Sequence, residues 1–148
     1  MRAFQFNLQR VLNYRETVED ALLAELGAIA HEHEREIGRL ERIRAAHASF
    51  CDRMKETLVQ DDPDSIRQAH GYLALLSERI ADQEQVVEQI ARRKDEKTAE
   101  VVEASKDRQI LDRLKEIKAS EHRREMLGEE QRFLDDLASV RHRANMSL

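Results

Sequence analysis

A heptad repeat that begins at Ile66 constrains this chain more than any other feature of its sequence. Steps of three and four residues select fourteen positions from there to Leu111, and ten of them are apolar. A repeat held over about six heptads is typical of a coiled coil. We call these positions the heptad seam: Ile66, Ala69, Leu73, Leu76, Ile80, Gln83, Val87, Ile90, Lys94, Lys97, Val101, Ala104, Arg108 and Leu111.

The composition excludes most folds that contain a sheet. The 148 residues include only four Gly and one Pro, and turns between strands depend on these two residue types. Aromatic residues make up 4% of the chain and charged residues 37%, which argues against a thick globular core. Charged residues of both signs alternate along the chain, as on a solvated helix surface.

One short segment divides the chain into two helical arms. Pro63 is favoured at the first position of a helix, and Asp62 before it is a good N-cap. We therefore predict a helix over about 4–60, a turn at about 61–63 and a helix over about 64–143, in a single domain over 1–148. The predicted fold is all-α: a two-helix antiparallel coiled-coil hairpin with the second helix longer than the first and more than about 80% of residues helical.

The first arm is less regular than the second. Heptad spacing from Phe4 continues through Leu8 and Val11 and changes to two eleven-residue repeats between Arg15 and Ile37. Heptads resume at Leu40. Folding the chain about Asp62 places residue i roughly opposite residue 124 − i.

The unequal arms predict a C-terminal overhang of about 25 residues, at about 1.5 Å per residue. An apolar stripe continues along it through Leu127, Leu134, Leu137 and Val140. Such a stripe needs a cover, so either a partner binds it or the helix breaks near Gly128 and folds back on the hairpin.

The sequence favours no catalytic or metal chemistry. Gly residues are too scattered for a phosphate loop. His47 and Cys51 are four residues apart and could form half a metal site, but a structural zinc ion needs four ligands, so both more simply fill seam positions. His31 and His33 lie on different helix faces, which we expect to be solvent and seam respectively. We predict no enzyme activity and no cofactor.

Charge and hydropathy limit the partners and the compartment. The net charge is −5, whereas nucleic-acid binding favours a basic stripe, so we expect no nucleic-acid partner. No apolar run approaches the roughly 20 residues that span a bilayer, and no signal peptide is evident. The single Cys51 forms no internal disulfide, and a reducing cytoplasm is the expected compartment.

Both ends of the chain resemble the flagellar export protein family FliJ. The run from Phe4 to Arg15 is similar to the family's opening, which has an aromatic pair, Leu, Val-Leu and Arg before an acidic helix. The run from Glu129 to Ala138 is similar to its closing pattern, an acidic-Gln-basic run followed by Leu-Asp-acidic-x-Ala. Arg113-Leu114-Lys115-Glu116 adds to the resemblance, which extends over essentially the whole chain.

This resemblance implies a cytoplasmic component of the flagellar type III export apparatus, held at the inner face of the membrane without inserting into it. The family's fold resembles the central stalk of rotary ATPases. Its terminal end is thought to enter the ring of the export ATPase FliI, and it contacts the export gate protein FlhA and export chaperones. The alternatives are a generic self-associating coiled-coil scaffold and a chaperone for one secreted substrate.

The resemblance also suggests two sets of contact residues. Arg15 would pair with Glu116 or Glu121 where the arms enter the ring. Tyr72 is either an outward contact for the gate or an aromatic that flanks the seam. The expected ATPase-binding residues are Phe4, Leu8, Val11, Leu12, Arg15, Leu127, Phe133, Leu134 and Leu137. The expected gate-binding residues are Leu40, Ile43, His47, Tyr72 and Leu76.

Overall fold

Two helices account for nearly all of the structure. The computed structural model of the protein describes residues 2–57 and 62–147. Helix α1 covers Gln9–Thr57 and helix α2 covers Pro63–Met146, with 49 and 84 residues. Together they contain 94% of the described residues, which include no strand. The predicted all-α fold, with two packed helices of which the second is longer, is confirmed.

The start of α2 follows the predicted capping. The amide of Asp64 donates a hydrogen bond of 3.0 Å to Oδ1 of Asp62, and the amide of Ile66 donates one of 3.1 Å to the carbonyl oxygen of Asp62. Pro63 is the first helical residue, where its missing N–H costs nothing. The predicted end of the first helix near Gln60, and most of the turn, lie outside the described residues.

The start of α1 differs from the prediction of about residue 4, because the helix begins at Gln9. In the segment before it, Phe4 and Phe6 are half-buried whereas Gln5 and Asn7 are exposed. This alternation is the period of extended chain, not of a helix. A turn then brings the Gln9 amide to 3.1 Å from the Phe6 carbonyl oxygen.

The shift displaces the first heptad of α1 by one residue. Val11, predicted on the seam, is 42% exposed, whereas Leu12 is 2% exposed. Leu8 is also outside the core, at 38% exposure. The seam assignment of Leu8 and Val11 was therefore wrong, because it continued a helical spacing through residues that are not helical.

The heptad seam of α2 is confirmed at every position. All fourteen residues are buried or half-buried. Leu76 and Ile90 are each 4% exposed, and Ala104 is 7% exposed. Gln83 is the buried polar residue of the seam. Its side-chain amide is not left without a partner, because Nε2 donates a hydrogen bond of 3.0 Å to the Glu36 carbonyl oxygen.

The contacts of the chain divide it into two compact units. The internal unit is Asp20–Val102, and the terminal unit combines Met1–Glu19 with Glu103–Leu148. Within each unit the helices pair antiparallel, as shown by Lys97 with Glu25 in one and Arg15 with Asp107 in the other. Both pairs lie within two residues of the predicted rule. The expectation of a single domain stays a prediction.

Candidate protein-interaction surfaces

In the terminal unit, the segment before α1 packs on α2. The ring of Phe4 lies 5.8 Å from the ring of His122, centroid to centroid. His122 Nε2 lies 3.0 Å from the carbonyl oxygen of Arg2 and donates to it. These contacts attach residues 2–6 to α2 at the level of His122. Leu12, the fourth residue of α1, is a core residue at 2% exposure.

Past this contact, α2 continues without a cover. Every residue from 129 to 147 is exposed, and the helix runs unbroken through Gly128. A helix that breaks near Gly128 and folds back is therefore not what the structure has, since one Gly costs only about 1 kcal/mol relative to Ala. The exposed fractions are 66% for Leu127, 65% for Phe133, 57% for Leu134, 50% for Leu137 and 65% for Val140.

These apolar side chains lie along one broad side of the helix. Phe133, Leu137 and Val140 are spaced by four and three residues, so they share one helix face. Leu134 lies beside Phe133 on the flank of that face, one heptad after Leu127. We call Leu127, Phe133, Leu134, Leu137 and Val140 the terminal stripe. A stripe of this size without a cover is characteristic of a binding surface.

Ion pairs also join α1 and α2 in the terminal unit, at the level of residues 107 and 108 of α2. Arg15 pairs with Asp107 at 3.2 Å, so the predicted pairing with Glu116 or Glu121 was wrong. The antiparallel register places residue 15 near 109, about two helix turns short of Glu116. Glu116 and Glu121 instead pair within α2, with Arg113 at 3.2 Å and Lys118 at 3.1 Å.

Arg108 makes two of these ionic contacts. It binds Glu19 of α1 and Asp112 of α2, and the Glu19 side chain is 13% exposed. The hydrogen bond to Glu19 is the main cause of a raised pKa for the Arg108 guanidinium. A seam position of the heptad is thus filled by a cation that two carboxylates neutralise.

The expected ATPase-binding residues fall into three groups. Leu12 is buried and Phe4 is half-buried against His122, so they support the surface from inside. Arg15 is partly exposed in its ion pair with Asp107. The accessible members are Leu8, Val11, Leu127, Phe133, Leu134 and Leu137.

The expected gate-binding residues lie in the internal unit and divide in the same way. Leu40 and Leu76 are 6% and 4% exposed, which makes them core residues. Ile43 is half-buried. Tyr72 is 44% exposed, and its ring meets Phe50 edge to face at 4.7 Å. Ile43, Tyr72 and Leu76 line one groove.

His47 lies apart from that groove, in a polar contact of its own. Its Nε2 is 3.3 Å from Ser77 Oγ, and its Nδ1 is 3.9 Å from Cys51 Sγ. Over residues 2–57 and 62–147 there is no group of three His, Cys, Asp or Glu residues that could hold a metal ion. His47 and Cys51 are half-buried beside the core residue Met54, as the simpler sequence interpretation predicted.

Lys97 is a second charged residue of the heptad seam that is held by two carboxylates. Its Nζ lies 2.7 Å from a Glu25 oxygen and 2.9 Å from a Glu100 oxygen. The hydrogen bond to Glu25, followed by that to Glu100, raises the pKa of the ammonium group. The Lys97 side chain is 20% exposed, so its two acceptors satisfy a cation that faces the partner helix.

Sequence reasoning missed three arginines at the groove and the aromatic partner of Tyr72. Arg39, Arg42 and Arg79 line the same groove as Ile43 and Tyr72. The register rule places residue 72 near 52, so Phe50 could have been found by asking which α1 aromatic lies closest. The arginines carry no motif, and only the fold brings α1 and α2 members together.

Packed antiparallel helices define a coiled-coil protein, and its exposed apolar stripe is a candidate surface for contact with other proteins. The family model of the flagellar FliJ protein matches residues 4–147. The chain therefore belongs to the FliJ family, a family of structural components of the flagellar export apparatus. No curated protein and no solved structure matches it. Within the part of the chain that the structure describes, neither helix is apolar enough over a sufficient length to cross a membrane.

Proposed function

We propose that this protein is a stalk-like partner of the flagellar export ATPase FliI, with no chemistry of its own. The observation that carries the proposal is the terminal stripe on an unbroken helix whose residues 129–147 are all exposed. A single helix that ends in an apolar face can enter a narrow opening in a partner ring. The accessible residues Leu8, just before α1, and Val11, within it, would add to the contact.

The stripe offers enough energy for a specific complex. Fully burying a Leu, Val or Phe side chain is worth about 1.5–3 kcal/mol, so side chains that are half to two-thirds exposed offer about 1–2 kcal/mol each. Five such residues could supply several kcal/mol against the cost of association. The flanking Glu129, Glu130, Arg132 and Arg141 keep the free surface soluble.

The proposal extends to the export gate and its location. We place a contact for FlhA at Tyr72 and Ile43, supported from below by the core residues Leu40 and Leu76. His47 would stabilise the packing of α1 on α2 through its polar contact with Ser77, and it would not touch the gate protein. Contacts with export chaperones, and a position at the inner face of the cell membrane without insertion, complete the proposed role.

Deleting the residues after Gly128 tests the ATPase contact. The truncated protein keeps the whole heptad seam, so we expect an unchanged helical hairpin that no longer stimulates ATP hydrolysis by the purified ATPase. A matched pair of full-length variants refines the test: Phe133→Ala with Leu137→Ala truncates two of the five side chains of the stripe, whereas Arg132→Ala with Ser139→Ala changes another face of the helix. Full stimulation by the truncated protein would exclude the terminal stripe as the site.

A self-associating scaffold is the second candidate, because a second copy of this chain could cover the same stripe. The molar mass in solution distinguishes the two functions. A monomer that stimulates the ATPase supports the stalk. A stable homodimer that dissociates on Phe133→Ala with Leu137→Ala would support the scaffold instead.

A further inference from the structure

A groove in the internal unit combines an apolar floor with an unbalanced charge. Its floor includes Ile43 and the partly exposed side chains of Tyr72 and Val86, which are 44% and 38% exposed. Its charged members are the three arginines Arg39, Arg42 and Arg79 and one carboxylate, Asp82. We call this surface the arginine groove.

The three arginines form no ion pair with any described residue. Among the described residues, no carboxylate lies within 4.0 Å of their guanidinium nitrogens, although all three side chains are exposed. Their neighbour Arg44 shows the contrast, because it pairs with Glu84 at 2.7 Å. Arg42 lies back along α1 over Gly38, with Nη1 3.9 Å from the place of a Cβ there. The groove therefore keeps a net positive charge beside apolar surface.

The shape favours a helical occupant. A groove between two antiparallel helices accepts a third helix that lies along both, and amphipathic helices commonly bind in this way. The arginines belong to both helices, Arg39 and Arg42 to α1 and Arg79 to α2, so they flank the apolar floor on two sides. Acidic side chains on both flanks of a bound helix would meet them in charge-assisted hydrogen bonds.

We infer that the arginine groove binds an acidic amphipathic helix of a partner protein, whose apolar face packs on Ile43, Tyr72 and Val86. The inference rests on the proposed gate contact, with which it shares Ile43 and Tyr72, and it adds the charge and the secondary structure of the bound segment. Among the described residues that line the groove, Asp82 carries the opposing charge, and it limits how acidic the bound face is opposite that position.

The test uses a synthetic helix as the probe. We would measure the affinity of the full chain for a labelled peptide of about three heptads, with Leu at two positions of each heptad and Glu at the flanking positions. The matched peptide carries Lys in place of Glu. The inference requires binding of the Glu peptide only, with an affinity that falls as salt is raised from about 0.05 to 0.5 M.

Three variants locate the site. Arg39→Glu with Arg42→Glu should weaken binding of the Glu peptide about tenfold or more, and the neutral Arg39→Gln with Arg42→Gln should weaken it less. Asp82→Asn should strengthen it by up to about threefold, the opposite sign. The control is Lys55→Glu with Arg67→Glu, which changes the net charge of the chain equally outside the groove and should leave affinity unchanged. Circular dichroism verifies the fold of each variant.

Three results would overturn the inference. They are equal binding of the Glu and Lys peptides, unchanged affinity in the correctly folded Arg39 and Arg42 variants, and an affinity of the chain for phosphatidylglycerol vesicles but not for the Glu peptide. None of them involves the ATPase or the gate protein. Loss of gate binding in Tyr72→Ala together with a negative peptide result would therefore reject the acidic helix and keep the proposed gate contact.

Discussion

Two stretches of α2 carry apolar residues at similar helical spacing, but only one of them is covered by α1. Between Ile66 and Leu111, α2 places its apolar residues under α1, and every seam position is buried or half-buried. Between Leu127 and Val140, α2 keeps three- and four-residue spacing less regularly, through Phe133, Leu137 and Val140, and the side chains of the terminal stripe are 50% to 66% exposed. Periodicity thus shows which face of a helix binds something. It does not show whether the partner is the same chain.

Only the first of these stretches is covered by α1, because α1 is shorter than α2. The segment before α1 reaches His122 through Phe4 and Arg2, and no described residue of α1 lies opposite the helix beyond it. The covered stretch contributes to folding, whereas the uncovered stretch is available for a partner. The predictions below test that division, from the largest expected effect to the smallest.

The strongest contrast comes from truncating one leucine in each stretch. Leu76→Ala removes a side chain that is 4% exposed and should lower the free energy of unfolding by about 2–5 kcal/mol. Leu134→Ala removes one that is 57% exposed and should lower it by less than about 0.5 kcal/mol. Urea denaturation measures both. A similar loss in the two variants would mean that the terminal stripe is part of the folded core.

Tyr72 tests an exposed aromatic within the covered stretch. Tyr72→Ala loses the edge-to-face contact with Phe50 and some apolar burial, so we expect a loss of about 1 kcal/mol in unfolding free energy. Binding to the purified gate protein should weaken by more than this stability change explains. Phe50→Ala is the matched variant, since it removes the same aromatic pair from the other side. A loss of several kcal/mol in Tyr72→Ala would assign Tyr72 to the core.

Two glycines sharpen the comparison. An added Cβ meets no atom within 4 Å at either Gly27 or Gly128, so Ala fits at both. Gly27→Ala should raise the unfolding free energy by about 0.5–1 kcal/mol, because Ala favours the helix. Gly128→Ala should raise it less and mainly slow amide exchange near the end of α2, where the helix opens locally. Equal gains in unfolding free energy for the two variants, measured by urea denaturation, would show that the end of α2 unfolds together with the seam.

Lys97 gives the smallest effect, which appears only at high pH. Its pKa is raised in the folded state by hydrogen bonds to Glu25 and Glu100, so its contribution to stability is complete below the ordinary value of 10.5. That contribution is lost as pH rises through the folded pKa. The stability difference between the native chain and Lys97→Gln should therefore be constant from about pH 7 to 9.5 and shrink above about 10.5.

A control in the Glu25→Gln, Glu100→Gln background isolates the cause of this pH dependence. In this background both acceptors are neutral. The change in unfolding free energy caused by Lys97→Gln should therefore depend much less on pH above about 10.5. A decline that persists in this background would mean that the two carboxylates are not what raises the pKa of Lys97.

The sequence was sufficient for those parts of the fold that depend on periodicity. Fourteen seam positions, the Asp62 cap and the antiparallel register all follow from spacing and capping chemistry, and the register also explains why Arg2 meets His122. The N-terminal segment was mispredicted because Phe4 and Leu8 imitate a heptad, whereas Phe4 and Phe6 alternate as extended chain. Arg15 was assigned to the wrong partner because a long side chain has several acids within a few turns.

The candidate sites were harder to predict than the fold. Leu12, Leu40 and Leu76 were expected at contacts and are buried instead, since an apolar residue in a heptad looks the same whether it faces its own chain or a partner. The arginine groove was not foreseen at all. Its members come from two helices and are related only by the register, so their shared charge shows only after the chain folds.

The central claim is that the end of α2 is kept free for the export ATPase, and hydrogen exchange tests it most directly. Amide exchange of the full chain would be followed with and without the purified ATPase. The account predicts added protection in residues 126–146 and in residues 2–12, with no change across the internal unit. Protection confined to residues 66–102, or none near the terminal stripe while the ATPase is bound, would contradict it.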